Sequence, residues 1–491
     1  VGLRAFEHIF SCLQKKNRED AATFQALADK VLAAWAVGRS CVSDFGDLAV
    51  REHMEVATKP YRVWRTVCST RREVYEVISD AFEATEDESW MEVDPSDSSL
   101  YAWNLLWTWS KPKIPWDELL IWQKVNHFPN AKELTRKDNL KRHLGRFRNI
   151  PGRVGEFFDV APVTFALPQD YVHFVNEYVK QQEINPDRNF WIMKPVGLSR
   201  GRGIYVFHDL NQVSYGECMV VQRYIARPLL LDGYKFDLRI YVLVTSFNPL
   251  EAFIYKEGFA RLSTEVYSSD PASLQNKFIH LTNSSIQKKN RTERSQDTDV
   301  RGGSKLLMSY CFEKLREQLG VSEGVLWEHT CKVVLKTLYA VQESIPHNAN
   351  AFEVYGFDIM FDVDLRAWLI EVNSSPSLAR ENQIDHQVKT KMVSDAVKLV
   401  DPLPVDRKAL REILQRRVAG RGVANARWNS SKEHQAQADL LAAVHGRRMR
   451  AYGEMPEHTG NFDRIAPSKM LDAIVRVHKG APRDSAKGAS G

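Results

Sequence analysis

Cysteine is scarce in this chain and long apolar runs are missing from it, and each shortage excludes a class of protein. The six cysteines are scattered and form no Cys-x-x-Cys pair: Cys12, Cys41, Cys68, Cys218, Cys311 and Cys331. A disulfide framework or a cysteine-rich zinc site would need closely spaced pairs, so we expect reduced thiols in the cytosol. No apolar run approaches the roughly 20 residues that cross a bilayer as a helix, so no membrane partner is predicted.

Net charge is also low, at +5, but the basic residues are unevenly distributed. Between Arg407 and Arg450 there are eleven Lys or Arg against three Asp or Glu, and a second basic run spans Lys132 to Arg148. Basic surfaces attract polyanions such as nucleic acid, acidic lipid or acidic protein tails. A solvated helix face explains either run as readily, so charge alone selects no partner.

The composition, with 44% hydrophobic and 26% charged residues, is ordinary for a globular protein, and 491 residues predict two or three packed domains. Residues 1–50 are Ala-rich and predict helix. The predicted strands are 61–67, 103–107, 190–196, 204–207, 219–225, 235–245 and 250–261. The predicted helices are 71–82, 132–148, two within 304–344, and 385–399.

Residues 355–374 predict a β-hairpin that turns at 362–365. Alternation places six apolar side chains on one face: Phe357, Ile359, Phe361, Trp368, Ile370 and Val372. The other face carries Asp358, Glu371 and Asn373. We expect Phe361 to pair with Arg366 and Asp358 to pair with Leu369, so that the three polar side chains converge beside a packed layer.

Asp358, Glu371 and Asn373 are therefore candidate metal ligands. Two carboxylates and an amide on a rigid hairpin are hard oxygen donors that suit Mg²⁺ carrying substrate phosphates. A hairpin with one solvated polar face is the simpler interpretation. The same face also carries Gly356, Met360, Ala367 and Leu369, where a water-facing strand would more often hold Thr, Lys or Glu. This mixture favours a cleft that is lined for a ligand.

A glycine-rich loop at 197–203 joins two predicted strands and contains Gly197, Gly201 and Gly203. Glycines let backbone N–H groups approach phosphate, and Arg200 adds positive charge. Its spacing matches neither the Walker loop nor the dinucleotide fingerprint, which both open a helix, and any hairpin turn can hold glycines. Lys194 on the preceding strand strengthens the interpretation as a phosphate site.

The strand Lys235–Val244 carries Lys235, Asp237 and Arg239 on one face and apolar side chains on the other. Two cations and a paired carboxylate suit an anionic substrate. A surface ladder of weak ion pairs is an equally good interpretation of this strand alone.

Several further segments follow in a fixed order: Gln222–Ile225, Lys235–Arg239, Gly258–Arg261, His280–Asn283, and Gly356–Asp358 with Glu371–Pro376. Upstream lie Trp103–Trp107, Asn126–Pro129 and Leu134–Asp138. With Lys194 and its loop, this set resembles the tubulin tyrosine ligase-like family of the ATP-grasp superfamily over about residues 60–400. Each motif alone is weak, and the ordered set is specific.

The resemblance implies an α+β fold of the ATP-grasp type, with nucleotide held between the antiparallel sheets of a central and a C-terminal domain and with an N-terminal α/β domain before them. The expected divisions are a helical extension at 1–55, the N-terminal domain at 56–130, the central domain at 131–215, the C-terminal domain at 216–403, and a basic helical and then disordered tail at 404–491.

The resemblance also implies an ATP-dependent carboxylate–amine ligase that uses ATP and Mg²⁺ and forms an acyl phosphate. The implied metal ligands are Asp358, Glu371 and Asn373, and the implied catalytic residues are Lys194, Arg239 and Arg261. The implied ATP-binding residues are Lys137, Lys194, Arg200, Gly201, Gln222, Arg223, Tyr224, Ile225, Lys235, Asp237, Thr282, Asn283 and Met360. The implied substrate-binding residues are Arg261, Ser285 and Lys389.

Within that family, Trp191–Pro195 and Leu198–Gly203 are most similar to the branch that attaches glutamate to tubulin. The implied partners are the acidic C-terminal tails of tubulin in microtubules and free L-glutamate, without nucleic acid or membrane. The expected protein is a monomer in the cytoplasm on the cytoskeleton, or in a cilium or flagellum. Two alternatives stay open: a ligase that adds glycine or modifies another acidic protein, and a non-catalytic protein that binds microtubules or nucleic acid.

Overall fold

The structure is a computed structural model, and it describes residues 62–67, 71–85, 90–92, 103–116, 119–197, 201–213, 218–290, 297–406, 409, 438–439, 441–444 and 446–480. The predicted helix at 1–50, Arg200 and most of the basic run from 407 lie outside these residues. The described residues divide into two compact units. One comprises those within Val1–Phe128, Asn348–Glu353 and Val393–Gly460, and the other those within Pro129–His347, Val354–Met392 and Asn461–Gly491.

The first unit contains a four-stranded parallel sheet. Its elements are β1 (Arg62–Val67), α1 (Arg72–Glu83), β2 (Trp90–Glu92), β3 (Leu105–Thr108) and β4 (Lys124–Val125). The strand order is β2-β1-β3-β4, and parallel neighbours need the crossover connections that separate them in sequence. Trp64 of β1 stacks on Phe82 of α1 with ring centroids 4.6 Å apart, which packs the helix on the sheet.

The second unit begins with helices and a four-stranded antiparallel sheet. The elements are α2 (Lys132–Thr135), α3 (Lys137–Arg148), α4 (Arg153–Phe157), β5 (Thr164–Leu167), α5 (Tyr171–Ile184), β6 (Trp191–Pro195), β7 (Tyr205–Phe207) and β8 (Met219–Arg223). The order is β5-β8-β6-β7. Phe174 of α5 packs on Trp191 and Phe207 and joins the helix to the sheet.

The single helix predicted at 132–148 is wrong, because the chain breaks at Arg136. This residue is extended (φ −84°, ψ 125°) between α2 and α3, and its guanidinium binds the Asp138 carboxylate at 2.8 Å. The break makes Lys137 the first residue of α3.

A larger antiparallel sheet is built around one long strand. Its elements include β9 (Leu230–Leu231), β10 (Tyr234–Phe247), β11 (Leu250–Tyr255), β12 (Phe259–Leu262), α6 (Lys277–His280), α7 (Ser284–Gln287), β13 (Arg301–Gly302) and β14 (Lys305–Leu307). The order along the main path is β13-β14-β12-β10-β11 and then a C-terminal strand. β10 pairs antiparallel with both β11 and β12, and its inward side chains are fully buried.

The single strand predicted at 250–261 is also wrong. β11 and β12 instead follow one another along β10: β11 pairs with Val242–Phe247 and β12 with Phe236–Arg239, and the connection 256–258 interrupts the pairing between them. Gly258 lies in this connection, where an added Cβ would clash with the carbonyl oxygen of Arg239, so the close backbone approach requires glycine.

The remaining elements are α8 (Met308–Leu319), α9 (Glu323–Val341), β15 (Glu353–Phe361), β16 (Ala367–Ser374), α10 (Gln383–Val400), β17 (Phe462–Ala466) and α11 (Lys469–Lys479). The sequence did not predict the last two, which follow the basic run. Among the described residues, none of the helices has the length and apolar character needed to cross a membrane.

The predicted hairpin exists as β15 and β16, but its predicted register is wrong. Phe361 pairs with Ala367 and Ile359 with Leu369, so Leu369 lies on the core face. A β-bulge then interrupts the pairing, and beyond it Asp358 pairs with Glu371. Such a bulge places an extra residue on one strand and bends it, and here the extra residue is Ile370.

Two side chains predicted in the core of the hairpin therefore change face. Trp368 pairs with Met360, which lines the cleft, and Ile370 lies beside Glu371 on the same lining. The convergence of the polar side chains survives the different register, because Asp358 and Glu371 are direct neighbours across the hairpin.

Candidate active site

The charged face of β10 is joined to the hairpin by a network of ion pairs. Asp237 lies opposite Arg261 of β12, and the guanidinium of Arg261 donates to both Asp237 and Asp358. The Arg261 Nη2–Asp358 Oδ2 distance is 2.7 Å, and Arg239 Nε donates to Asp358 Oδ1 at 2.6 Å. Two carboxylates and two guanidinium groups thus balance in charge inside the protein.

Asp358 is the centre of this network and is 1% exposed. Burial alone would raise the pKa of its carboxyl, but the guanidinium groups of Arg239 and Arg261 outweigh burial and lower the pKa to about 2. The pKa of Arg261 is raised well above its usual value, because attraction by Asp237 and Asp358 outweighs its own desolvation. Asp358 is therefore ionised at every physiological pH and available as an anionic ligand.

Lys235 lies at the start of β10 and is held by two neighbours. Its Nζ donates to the Tyr224 hydroxyl at 2.7 Å and to the His280 carbonyl oxygen at 2.8 Å. The Tyr224 hydroxyl is 2.9 Å from His280 Nδ1, and burial with the nearby Lys235 charge lowers the pKa of His280 to about 4. His280 is thus neutral at neutral pH, and the Tyr224 O–H can donate to it while accepting from Lys235.

The ammonium groups of Lys235 and Lys194 are both buried, and in the described part of the chain neither has a carboxylate partner in hydrogen-bonding contact. Lys194 Nζ donates to the Gln222 side-chain oxygen at 2.6 Å. Desolvation lowers the pKa of Lys235 to about 7 and that of Lys194 to about 8. Buried ammonium groups are costly unless an anion compensates them, so this pair suits a bound anion of high charge.

Lys137 and the hairpin carboxylate form a further pair in the same cleft. Lys137 Nζ lies 3.3 Å from Glu371 Oε2, and both side chains are about one-fifth exposed. The Asn373 amide donates weakly to Glu371 Oε1 at 3.4 Å, so the amide and the carboxylate are neighbours on β16.

The donor set fits a hard divalent cation. Asp358 and Glu371 are paired across the hairpin, and Asn373 follows two residues later on the same strand face. Among the described residues no three His, Cys, Asp or Glu side chains gather as a metal site, so a cation here would rest on two carboxylates and one amide oxygen. Mg²⁺ accepts such a site because it retains waters and phosphate oxygens as its other ligands.

These groups line one cleft of about 90 Å³. The sequence-predicted residues on its wall are Lys137, Lys194, Gly201, Gln222, Arg223, Tyr224, Ile225, Lys235, Asp237, Arg261, Thr282, Asn283, Asp358, Met360, Glu371 and Asn373. A larger cleft of about 740 Å³ shares Lys137, Lys194, Gln222 and Glu371 with it. Apolar Ile192, Ile204 and Met360 on the smaller cleft offer a surface for a flat ring.

Three predicted site residues are placed elsewhere. Arg239 touches Asp358 but is not part of the cleft wall. Ser285 is exposed on α7. Lys389 is buried on α10, where its Nζ lies 2.7 Å from Asp385 Oδ1. The same carboxylate holds Lys305 at 2.7 Å.

Sequence reasoning missed the Tyr224 hydroxyl and the His280 carbonyl oxygen that hold Lys235. Tyr224 is predicted as an ATP-binding residue and His280 only as part of a polar turn, so neither is predicted as a partner of Lys235. Tyr224 follows β8, Lys235 lies on β10 and His280 ends α6. These residues are distant in sequence, so no local pattern predicts that they meet.

Two antiparallel sheets, with buried lysines opposite a carboxylate pair, define an ATP-grasp-like protein. The family model described as "Tubulin-tyrosine ligase family" matches residues 116–410. The chain belongs to this family, whose match covers the whole of the cleft described above.

Curated relatives agree with the family. The chain is 39% identical over 316 residues to the probable tubulin polyglutamylase TTLL2 of Homo sapiens, covering 64% of this chain and 52% of the relative. It is 41% identical over 321 residues to the tubulin polyglutamylase TTLL5 of Homo sapiens, covering 63% of this chain and 24% of the relative. It is 34% identical over 364 residues to the probable alpha-tubulin polyglutamylase Ttll1 of Tetrahymena thermophila, covering 66% of this chain and 84% of the relative. The chain thus spans about half of TTLL2 and a quarter of TTLL5.

Proposed function

We propose that this protein is an ATP-dependent ligase that adds glutamate to glutamate side chains, or to existing glutamate chains, on the C-terminal tails of tubulin. The observation that carries the proposal is that Lys137, Lys194 and Lys235 line the same cleft as the paired carboxylates Asp358 and Glu371. Membership of the family and relatives named as tubulin polyglutamylases support it.

The lysines would hold the triphosphate of ATP. Lys194 and Lys235 are buried, and their lowered pKa values mark ammonium groups that gain from a nearby anion. A triphosphate supplies several negative charges where the protein places its cations. The segment Gln222–Ile225, with Ile192 and Met360, would contact the adenine ring at the apolar part of the cleft.

Asp358, Glu371 and Asn373 are the residues that would hold Mg²⁺. When bound, this ion would neutralise charge on the phosphates during transfer. The chain prepares the site because Arg239 and Arg261 keep Asp358 ionised and fixed in orientation.

The chemistry we propose has two steps. The acceptor carboxylate attacks the γ-phosphorus of ATP and becomes an acyl phosphate, with ADP as the leaving group. The amino group of free glutamate then attacks the acyl carbon, loses a proton and displaces inorganic phosphate, which forms the amide bond. Arg261 lies on the cleft wall, where its guanidinium could steady the acyl phosphate or the carboxylate of the incoming amino acid.

Charge supports an acidic acceptor. Helix α3 carries Lys137, Lys141, Arg142, Arg146 and Arg148, and each of them lines the larger cleft. Each of the five forms an ion pair with an acidic side chain, but the lining of the larger cleft still carries seven Lys or Arg against four Asp or Glu. A Glu-rich tail would be attracted to this excess.

The direct test offers the purified protein microtubules, Mg-ATP and either glutamate or glycine, followed by mass spectrometry of the tubulin tails. We expect increments of glutamyl residues that depend on ATP. Glycyl increments would make the protein a glycine ligase, and transfer to other acidic proteins alone would remove tubulin as its substrate. Binding to microtubules without any increment would contradict the ligase.

A further inference from the structure

The C-terminal strand and helix complete the second unit, although they follow the end of the family match at residue 410. β17 pairs antiparallel with β11, with Phe462 opposite Tyr255 and Ala466 opposite Ala252. The rings of Phe462 and Tyr255 are 4.8 Å apart. The Ser468 hydroxyl caps the following helix, α11, by accepting from the Leu471 N–H at 3.2 Å.

The last turn of α11 reaches an aromatic cluster. The His478 ring centroid lies 4.9 Å from Phe147 of α3 and 5.6 Å from Tyr339 of α9. The Tyr339 hydroxyl is 2.8 Å from His478 Nδ1. Phe158 closes the cluster, with its ring 4.6 Å from Phe147. His478 thus contacts α3 and α9 at once.

Phe147 is in the last turn of the same helix that begins with Lys137. The ten residue steps from one to the other correspond to about 15 Å of α-helix. Leu140, Leu144 and Phe147 are the apolar face by which α3 is buried. Because a short helix moves as a rigid rod, a shift at Phe147 is transmitted to Lys137, which lies 3.3 Å from Glu371.

We propose that the segment Phe462–Lys479 holds α3 in place and thereby positions Lys137 in the cleft, with His478 as the positioning residue. The assignment of Lys137 to nucleotide phosphates rests on the proposed function. The contact between His478 and Phe147 of α3 does not depend on that assignment, because it is given by the ring geometry alone. The segment is therefore part of the nucleotide-binding unit, even though the chain reaches it only after the basic run.

The test compares four variants of the full chain. His478→Ala removes the ring, and His478→Phe keeps a ring but removes the hydrogen bond. Tyr339→Phe removes the same hydrogen bond from the other side. Lys479→Ala alters an exposed neighbour and serves as the matched control.

Two readouts are measured on each variant. The rate of amide hydrogen exchange in residues 137–148, measured without nucleotide, reports how firmly α3 is held. Calorimetric titration with Mg-ATP measures the affinity of the cleft for nucleotide. We expect His478→Ala to speed exchange in α3 and to weaken Mg-ATP binding roughly threefold to tenfold, the range that a lost ring contact is worth. For His478→Phe and Tyr339→Phe we expect both the exchange rate in α3 and the Mg-ATP affinity to stay near the wild-type values.

The outcomes separate this inference from the proposed function. If His478→Ala lowers only the melting temperature and leaves exchange in α3 and Mg-ATP affinity at the values of Lys479→Ala, the positioning role is overturned. If the wild type binds no Mg-ATP, the proposed function fails, and α3 exchange alone then decides whether His478 holds the helix. Faster exchange with unchanged Mg-ATP affinity would overturn the link to Lys137.

Discussion

Asp358 and Glu371 lie directly opposite each other across the β15–β16 hairpin, and a β-bulge at Ile370 precedes Glu371. The two carboxylates differ in their surroundings. Asp358 is held by two arginines in the interior, whereas Glu371 is about one-fifth exposed and contacts Lys137. One carboxylate is therefore fixed, and the other can change partners when a ligand enters.

This difference makes Glu371 the sharper probe of the chemistry. Glu371→Gln keeps size and hydrogen bonding but removes the charge, so we expect turnover to fall by about 100-fold or more, the loss typical of a group that stabilises charge in the transition state. The melting temperature should change little because the side chain is not in the core. Asp364→Asn, in the exposed hairpin turn, is the matched control. Normal turnover by Glu371→Gln in the microtubule assay would refute a role in catalysis.

Arg261 should matter for folding as well as for activity. Arg261→Ala leaves Asp237 without its guanidinium and Asp358 with only one, both in the interior, and breaking a buried pair in this way costs about 3–5 kcal/mol. Urea unfolding measures the loss. Lys314→Ala on α8 breaks a surface pair with Glu317 and should leave the free energy of unfolding close to that of the wild type, because solvent screens such a pair. Equal losses for the two variants would mean that the network is not integral to the fold.

Nucleotide binding should take up protons. The pKa of Lys235 is about 7 and that of Lys194 about 8, so at pH 8 Lys235 is mostly neutral and Lys194 half neutral. A triphosphate raises both pKa values because it favours the charged form, and roughly one to two protons should enter on binding. Calorimetric titration of the protein with Mg-ATP at pH 8, in two buffers of different ionisation enthalpy, measures the number of protons taken up.

The same lysines predict the direction of the pH dependence. Well below pH 7 both ammonium groups are already charged and uptake should vanish, whereas affinity should decline as the pH rises above about 7 to 8. Lys235→Met should lower the uptake at pH 8 by nearly one proton. An uptake that is unchanged in Lys235→Met would show that the ammonium group does not meet the nucleotide.

Lys389 can be tested as a ligand of the incoming amino acid. If it binds that carboxylate, Lys389→Ala should raise the KM for glutamate severalfold and leave the KM for ATP unchanged. Asp385 keeps Lys305 as a partner in that variant, so the fold should survive. A parallel rise in both KM values, with a lower melting temperature, would instead mark Lys389 as part of the buried ion cluster on α10.

The sequence predicted those parts of the site that depend on local alternation. The charged face of β10, the strand that carries Lys194 and the hairpin with its three oxygen donors all follow from period-two patterns. Their partners do not, because the contact of Arg239 with Asp358 joins β10 to a strand more than one hundred residues away. The break at Gly258 was missed because it accompanies a close backbone contact with Arg239, which local alternation does not show. The break at Arg136 was missed because the apolar spacing continues through it, although Arg136 and Asp138 are close in sequence.

The C-terminal strand was the largest omission, since a five-residue strand beyond a basic run has little periodicity to distinguish it. Its position has a practical consequence. A chain shortened to the end of the matched family region would leave β11 with a bare row of backbone donors and acceptors beside apolar side chains. Such an edge invites pairing with other copies. We expect the shortened protein to aggregate under conditions in which the longer one stays dispersed. In the longer chain β17 covers this edge of β11 and so prevents self-association through it.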